Sequence, residues 1–415
     1  CMTAEFFTNN RKALLDKLEE GSIVLLYSGK APIKSCDQEM HPFSVNRNFY
    51  YMTGIDTQDV WLLLSKTAAK TSEMLFIDEP DDFVIKWHGK MLTREEASCR
   101  SGIADSEICY MQDLERRIAS PLSWGGVTNV YFSFERMSMY AASTRSEELA
   151  RTIREKYPMV QIKNAAPIIA DLRAVKTPEE VACIRRAGDV TIEALRHMLK
   201  TARPGEYEYQ WAADYEYYVA RSGLRHGFET IAASGENAVM LHYSDNNCIA
   251  GEGELLLVDL GAEYQYYSAD ISRTFPVGGK FTDRQKELFT IVREAMEAAR
   301  EKMRPGMTFR ESNQAVVDFY KKAMRSVGLI DDDGDVSKYY YHGVSHSLGL
   351  DTHDPCEKTV YEPGMVITCE PGIYVAEEGI GIRLENDILV TENGPEDLTG
   401  SRLLDIREIE ELMGR

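Results

Sequence analysis

Four carboxylates that stand inside or beside apolar segments constrain the fold of this chain more than any other feature. Asp259 follows the residues LLLV, Glu370 follows MVITC, and Glu385 stands shortly before ILV. Asp270 lies eleven residues after Asp259. A carboxylate that points into such a sheet costs several kcal/mol unless a cation compensates its charge. A single acid usually points outward to solvent, but four in matched positions predict a bound cation.

The spacing of these acids predicts two hairpins that bring the carboxylates together in pairs. The two aspartates would face each other if the chain turned at residues 264–265, and the two glutamates if it turned at 377–378. Antiparallel pairing sets opposite side chains about 5 Å apart on one face of a sheet. Four converging carboxylates repel one another, and bound metal is the simplest way to relieve that repulsion.

Histidines mark the same half of the chain. The sequence has eight histidines, and three of them, His342, His346 and His353, fall in the segment HGVSHSLGLDTHD. A fourth, His242, lies in SGENAVMLHYS. A lone histidine is more often structural, whereas three in a glycine-containing segment without helical or strand periodicity are typical of a functional site.

The predicted ligands indicate the kind of metal and the kind of reaction. A set of ligands that is mostly carboxylates with a single imidazole suits a hard ion such as Mn²⁺ better than it suits a tetrahedral zinc ion. Two ions about 3.5–4 Å apart could share a bridging hydroxide, which is a nucleophile at neutral pH. The residues therefore predict metal-assisted hydrolysis and leave the substrate open.

The length of 415 residues indicates two domains. Residues 2–172 alternate short apolar runs with helical patterns, which predicts an α/β domain. Residues 173–415 are predicted to begin with a long helix. Thr177 caps this helix, Pro178 occupies its first position, and Glu180 completes a capping box.

A repeated tripeptide indicates an internal duplication in the second domain. The residues Arg-Pro-Gly occur at 203–205 and again at 304–306, and each copy precedes a helical pattern and then strand patterns. Two copies of one unit predict an α+β domain with pseudo-twofold symmetry and a site at the junction of the copies.

The charge balance excludes several classes of partner. The chain has 47 basic and 67 acidic residues, a formal net charge of -20, whereas nucleic acids and anionic membranes bind basic surfaces. No window has the ~18 apolar residues of a membrane span, and the N-terminal segment lacks the apolar run of a signal peptide. Eight cysteines without a CxxC pair are typical of reduced thiols. We therefore expect a cytoplasmic protein that binds neither nucleic acid nor membrane.

The acidic and histidine motifs resemble those of the creatinase-type, or pita-bread, metallopeptidases, which include methionine aminopeptidase, prolidase and Xaa-Pro aminopeptidase. The segments VDLGAEYQYYSADISRTFPV, HGVSHSLGLDTHD, EPGIY and GIGIRLENDI carry the resemblance. It implies two divalent metal ions and five ligands. Asp270 and Glu385 would bridge both ions. Asp259 would bind one of them, and His346 and Glu370 would bind the other.

The same resemblance implies catalytic roles for residues around these ligands. Glu370 would also carry the proton that the attacking water loses. His353 and His242 would stabilise the tetrahedral intermediate and hold the carbonyl of the bond that is cleaved.

Three further residues would complete the site. His342 and Tyr374 would line an apolar slot for the proline ring of the substrate. Arg383 stands two residues before Glu385, hence on the same strand face. It would support catalysis by contacting the metal ligands without binding a metal ion itself. We expect Glu370 and Glu385 to occupy its guanidinium.

The first domain distinguishes among members of the family. The segment SCDQEMHPFSVNRNFYYMTGID resembles the N-terminal domain of Xaa-Pro aminopeptidases. Asp37 and Trp87 match positions that reach towards an active site across a subunit contact, which implies a homo-oligomer. For Trp87 a purely structural role is an equal alternative.

These features predict an aminopeptidase that releases the N-terminal residue when the second residue is proline. A peptide bond to proline has no N–H, so an enzyme that cleaves it needs an apolar slot for the proline ring in place of a backbone hydrogen bond. The nearest alternative is prolidase, a dipeptidase, which needs a cation for the product carboxylate that we do not locate. A metal-dependent phosphate-ester hydrolase is disfavoured because few cationic residues stand near the motifs. A metal-free peptide-binding homologue is disfavoured because all five ligand positions are filled.

Overall fold

The computed structural model describes residues 2–35, 40–332 and 334–414. The chain forms two compact units, one from Met2 to Leu172 and one from Arg173 onward. Within the described ranges, none of the helices combines the length and the apolar character that crossing a bilayer requires.

The N-terminal unit is a mixed sheet with helices. Its strands are β1 (Ser22–Tyr27), β2 (Trp61–Lys66), β3 (Thr71–Ile77), β4 (Ile108–Tyr110), β5 (Asn129–Phe132) and β6 (Gln161–Asn164). Its helices are α1 (Ala4–Asp16), α2 (Arg47–Thr53), α3 (Asp82–His88), α4 (Arg94–Ser101), α5 (Leu114–Trp124), α6 (Arg145–Lys156) and α7 (Ala166–Ala174), which runs across the boundary. The strand order is β4-β3-β2-β1-β5-β6. The predicted α/β class is confirmed.

The central strand of this sheet is apolar because both of its faces are covered. Residues 22–26 of β1 are all buried. Ile23 and Leu25 pack on one face with Ile118 of α5 and Ile153 of α6. A continuous apolar run without alternation is what a strand covered on both sides requires.

The C-terminal unit combines long helices with short strands. Its helices are α8 (Pro178–Thr201), α9 (Glu208–Arg221), α10 (Asp283–Arg300), α11 (Phe309–Ser326) and α12 (Ile406–Met413). Its strands are β7 (Arg225–His226), β8 (Ile231–Ser234), β9 (Leu255–Leu260), β10 (Ala262–Tyr264), β11 (Tyr267–Ser268), β12 (Ile271–Pro276), β13 (Val366–Cys369), β14 (Gly372–Val375), β15 (Ile380–Arg383), β16 (Asn386–Thr391) and β17 (Gly394–Asp397). One core contains residues of α8, α9, α10 and α11 together with β9, β12, β13 and β16.

The start of α8 is the helix cap that the sequence predicts. The hydroxyl of Thr177 accepts the N–H of Glu180, and the carboxylate of Glu180 accepts the N–H of Thr177 at 2.8 Å. Pro178 occupies the first position, where its missing N–H is not needed.

The repeated tripeptide marks two copies of one local structure. The first copy lies between helices α8 and α9, which pack on each other. The second copy lies between α10 and α11, which also pack on each other. Gly205 and Gly306 have φ angles of 87° and 86°, a backbone conformation that glycine adopts without strain. Their N–H groups donate to the carbonyls of Ala250 at 2.8 Å and Tyr361 at 3.0 Å. The matching geometry confirms the predicted duplication.

Candidate metal centre

The two glutamates meet where one strand pair ends and the next begins. Gly372 pairs with Arg383 in the β14–β15 hairpin, and Cys369 pairs with Asn386 in the β13–β16 pair. Both pairings follow one register, and continuing it places residue 370 opposite residue 385. The turn of the hairpin spans residues 376–379, so the predicted centre at 377–378 is confirmed.

The predicted register of the two aspartates is wrong. Asp259 pairs with Ser272, because the chain turns at Gln265 and Tyr266. Both turn residues have positive φ angles, 52° and 67°, as a tight two-residue turn requires. The turn lies one residue later than predicted, so Asp270 is displaced along the ladder from Asp259. Asp270 stands in the gap before β12, as a diagonal neighbour of Asp259.

The histidine segment runs antiparallel beside β13. The N–H of Thr368 donates to the carbonyl of His346 at 2.9 Å, and the N–H of Glu370 donates to that of Val344 at 2.9 Å. This pairing brings the His346 ring over the carboxylates. Its Nε2 lies 3.4 Å from Oδ2 of Asp270 and 3.5 Å from Oε1 of Glu370.

A backbone contact determines which nitrogen of His346 faces the carboxylates as an acceptor. Nδ1 lies 3.0 Å from the carbonyl of Ser347. Because a carbonyl can only accept, Nδ1 carries the hydrogen and Nε2 presents its lone pair. Burial lowers the pKa of His346 to about 4. The neutral imidazole is the form that binds metals.

The carboxylates resist ionisation together. Asp270 and Glu385 are 4% and 1% exposed. Burial, followed by the charges of neighbouring carboxylates, raises the pKa of both groups well above the ordinary range. Burial also raises the pKa of Glu370 to about 8, although the charge of Arg383 acts to lower it. A cation bound among these groups would favour their ionised forms.

The donor atoms fit a divalent cation. One oxygen each of Asp270 and Glu385 and one nitrogen of His346 lie within 4.8 Å of one another. Oδ1 of Asp259 and Oδ1 of Asp270 are buried and lack a hydrogen-bond partner in the part of the chain that the structure describes. Buried acceptors without a partner are costly, and coordination of a metal would satisfy both.

Nine of the predicted site residues line one cavity of about 420 Å³. They are His242, Asp259, Asp270, His342, His346, His353, Glu370, Arg383 and Glu385. The rings of His346 and His353 are in edge contact, with centroids 4.4 Å apart and planes at 75°. His353 and His242 are exposed at the cavity, as groups that contact a substrate need to be.

The guanidinium of Arg383 is held differently from our expectation. We expected Glu370 and Glu385 to occupy it, but its Nη2 pairs with Oδ2 of Asp259 at 2.8 Å. Its Nε donates to Oγ of Ser272 at 2.9 Å. Ser272 in turn donates to Oε2 of Glu385 at 2.7 Å. The hydroxyl of Ser272 thus connects the arginine to Glu385, since the observed strand register sets Ser272 opposite Asp259.

Tyr374 supports the cavity from behind. Its side chain is 2% exposed, so it lies beneath the predicted proline slot rather than on its surface. Its hydroxyl accepts from Nη1 of Arg383 at 3.1 Å and lies 2.8 Å from Nε2 of His342. The other nitrogen of His342 lies 2.8 Å from the carbonyl of Gly343 and must donate to it. The tyrosine therefore donates to Nε2 and fixes the ring.

Two predicted residues belong to the N-terminal unit. Trp87 lies on α3 and is 71% exposed, and its ring contacts that of Phe83 with centroids 5.8 Å apart and planes tilted by 40°. Asp37 lies outside the described residues.

Sequence reasoning missed three polar residues that hold the ligands. Ser272 donates to Glu385, as described above. Asp387 accepts the N–H of Asp270 at 3.3 Å. The hydroxyl of Thr368 accepts the N–H of His346 at 3.1 Å. Each lies two residues from a ligand, so the period of two in a strand could have identified them.

The raised pKa values predict how the metal-free protein responds to pH. Glu370 holds a proton up to about pH 8 in the folded state, whereas its ordinary value is 4.5. Between these values the folded state binds more protons than the unfolded state, so its stability falls as the pH rises. We expect the Tm of metal-free protein to fall by several degrees from pH 5 to pH 8.

Two controls accompany this measurement. Saturating Mn²⁺ should remove most of the fall, because the cation replaces the proton. Glu370→Gln should make the fall smaller, because this variant lacks one of the three predicted metal ligands whose pKa is raised. Calorimetry that finds a constant or rising Tm for metal-free protein across the window would contradict the prediction.

Comparison with known proteins is consistent with this geometry. A model of metallopeptidase family M24 matches residues 182–392, and a model of the aminopeptidase P N-terminal domain matches residues 7–131. The Xaa-Pro aminopeptidase of Escherichia coli (strain K12) is 33% identical, with 98% of this chain and 97% of the relative aligned.

Two solved structures resemble the whole chain. A Bacillus anthracis protein described as an aminopeptidase P superposes with a TM-score of 0.97 at 42% identity, over 100% of this chain and 99% of that one. Escherichia coli aminopeptidase P with the inhibitor Pro-Leu superposes with a TM-score of 0.90 at 31% identity, over 100% and 98% of the two chains.

Proposed function

We propose that this chain, which belongs to metallopeptidase family M24, is an aminopeptidase that releases the N-terminal residue from peptides with proline in second position. The observation that carries this proposal is the convergence of Asp259, Asp270, His346, Glu370 and Glu385 in one cavity. The match of residues 7–131 to the aminopeptidase P N-terminal domain supports the same choice. We also propose that residues 2–172 and 173–415 are the two functional domains.

The five converging residues would hold two divalent ions. Four carboxylates and one imidazole favour Mn²⁺. When bound, such ions lower the pKa of a water molecule and polarise a carbonyl group. Asp270 and Glu385 are the most deeply buried of the five and would hold the ions together with Asp259, His346 and Glu370.

The remaining residues of the cavity would position the peptide and move protons. Glu370, whose pKa lies near neutrality in the metal-free site, would take the proton of the attacking water and deliver it to the leaving nitrogen. His353 and His242 would donate hydrogen bonds to the carbonyl oxygen as negative charge develops there. Arg383 would keep Asp259 oriented through their ion pair.

Specificity for proline would come from the wall beside the histidine segment. The ring of His342 is fixed by Tyr374 and faces the cavity. A fixed ring can pack against a pyrrolidine, which lacks the N–H that other peptidases bind. The relative from Escherichia coli binds Pro-Leu, in which a residue follows the proline, and this supports a groove that stays open beyond it.

Prolidase activity remains the nearest alternative. A dipeptidase must hold the terminal carboxylate of its substrate with a cation. Among the described residues of the cavity wall, Arg383 is the one lysine or arginine, and Asp259 already occupies it. The cavity therefore favours peptides longer than two residues.

Three peptides test substrate length and proline specificity. In the presence of Mn²⁺ we expect kcat/KM for Ala-Pro-Ala at least comparable to that for Ala-Pro. Ala-Ala-Ala should be cleaved at least about 10-fold more slowly, the range for losing one or two methylenes from an apolar slot. Products are measured by liquid chromatography, with Glu385→Ala as the inactive control.

Each alternative has its own outcome in this assay. Cleavage of the dipeptide alone would identify a prolidase. Equal cleavage of the alanine peptide would remove the claim for proline. Cleavage of none of the three by metal-loaded protein would remove the proposed function.

Three further properties belong to this proposal. The metal would be Mn²⁺, the protein would act in the cytoplasm, and the chain would form a homo-oligomer. The exposed Trp87, together with Asp37, would contribute to the active site of a neighbouring subunit. An active monomer in light scattering would remove both residues from the site.

A further inference from the structure

His242 reaches the cavity on an irregular segment rather than on a strand. β8 ends at Ser234 and β9 begins at Leu255, and a single 3₁₀ turn, Gly235–Val239, is the regular element between them. Leu241 and His242 line the cavity from this segment. Because the segment lacks a continuous ladder, other contacts must hold it in place.

One buried carboxylate provides those contacts. Glu208, at the start of α9, is fully buried. Its Oε1 accepts the N–H and the hydroxyl of Ser234, both at 2.7 Å, and the amide of Asn237 at 3.0 Å. Its Oε2 accepts the hydroxyl of Tyr243 at 2.7 Å and the N–H of Cys248 at 3.0 Å. Five donors from one segment thus converge on one side chain.

Both oxygens of the Glu208 carboxylate act as hydrogen-bond acceptors. In the part of the chain that the structure describes, the groups that contact this carboxylate are N–H, NH₂ and O–H groups, and every one can donate a hydrogen bond. The backbone adds a further contact, since the N–H of Glu208 donates to the carbonyl of Cys248 at 2.9 Å.

The contact with Tyr243 connects this network to the active site. Tyr243 is buried, whereas the adjacent His242 is exposed to the cavity. Fixing the hydroxyl of Tyr243 from behind therefore fixes the backbone from which His242 projects. We propose that Glu208 is a positioning residue for His242, and that its two acceptor oxygens organise residues 234–248 for catalysis. This inference rests on the proposed function in that His242 is taken to contact the substrate.

Two acceptor oxygens are essential to this arrangement. A glutamine at position 208 fits the same space, but it replaces one acceptor oxygen with an NH₂ group. That group would face either the donors of Ser234 and Asn237 or those of Tyr243 and Cys248. Glu208→Gln thus opposes donor to donor with almost no change in volume. A misplacement of about 1 Å can cost about 10²-fold in rate.

Kinetics and hydrogen exchange on Mn²⁺-loaded protein test the proposal. For Glu208→Gln we expect kcat on Ala-Pro-Ala to fall about 10- to 100-fold, with KM and metal content nearly unchanged. Amides of residues 235–248 should exchange faster than in the wild type. Glu236→Gln removes an exposed acid of the same segment and should change neither quantity. Unchanged exchange and unchanged kcat in Glu208→Gln would overturn the proposal.

A double mutant separates positioning from a general loss of structure. If Glu208 acts through His242, adding Glu208→Gln to His242→Ala should lower kcat by less than about 2-fold. The same loss in both backgrounds would overturn the proposal. Should Glu208→Gln fail to fold, Tyr243→Phe removes one of the five donors and is put through the same comparisons. Failure of the proposed function would appear separately, as wild-type protein that cleaves no peptide, and the exchange measurement would still decide the structural claim.

Discussion

Protein stripped of metal should hydrolyse Ala-Pro-Ala at least about 10³-fold more slowly than the same protein loaded with Mn²⁺. The reason lies in the charge of the cavity. Asp270 and Glu385 are almost fully buried, and burial, followed by the charges of neighbouring carboxylates, raises the pKa of both groups. A divalent cation would offset this cost of burying several carboxylates together, and without it the site lacks the Lewis acid that polarises the carbonyl group.

The measurement combines chelation, elemental analysis and kinetics. Activity should return on addition of Mn²⁺, and it should return less fully with Zn²⁺, because tight binding and productive geometry are different requirements. Asp189→Asn, on the surface of α8, serves as a control that should lose and regain activity in parallel with the wild type. Full activity in protein shown to contain no metal would exclude a metal-dependent mechanism.

Much of the fold could be predicted because several signals agreed. The cap of α8 follows from Thr177, Pro178 and Glu180, which act locally and do not depend on the rest of the chain. The pairing of residues 370 and 385 follows from the position of the turn at residues 376–379. That turn contains Gly379 in a left-handed conformation, a residue type that makes a turn visible in a sequence.

The aspartate hairpin could not be predicted in the same way. Its turn residues, Gln265 and Tyr266, both have positive φ, yet neither is a glycine, asparagine or aspartate. Tertiary packing therefore overrides the local preference, and the sequence carries no signal for the correct register. Because the predicted turn lies one residue too early, it sets Asp270 opposite Asp259, whereas the observed partner is Ser272.

The ligand residues themselves were more predictable than the contacts that orient them. Carboxylates in apolar strands are conspicuous because their burial has a high cost. The hydrogen bond from His346 to the carbonyl of Ser347, and the hydroxyl between Arg383 and Glu385, use groups that occur everywhere in a chain. Such groups acquire a role only from the geometry around them.

The two histidines in edge contact should behave differently when each is replaced by alanine. His346 points its Nε2 at Asp270 and Glu370, so His346→Ala should lower the metal content along with the activity. His353 lines the cavity beside it. His353→Ala should keep its metal and lose about 10²- to 10⁴-fold in kcat, the range for one lost proton or oxyanion partner.

Metal content by elemental analysis, measured beside kcat on Ala-Pro-Ala, distinguishes a ligand from a group that contacts the substrate. His226→Ala, which removes an exposed histidine from β7, should change neither quantity and controls for the loss of an imidazole in general. Because the rings of His346 and His353 lie 4.4 Å apart, removing either could disturb the other through packing alone. His353→Phe keeps a ring in that contact but has no donor, so it should lose activity as His353→Ala does. Equal loss of metal in His346→Ala and His353→Ala would show that the proposed division of roles is wrong.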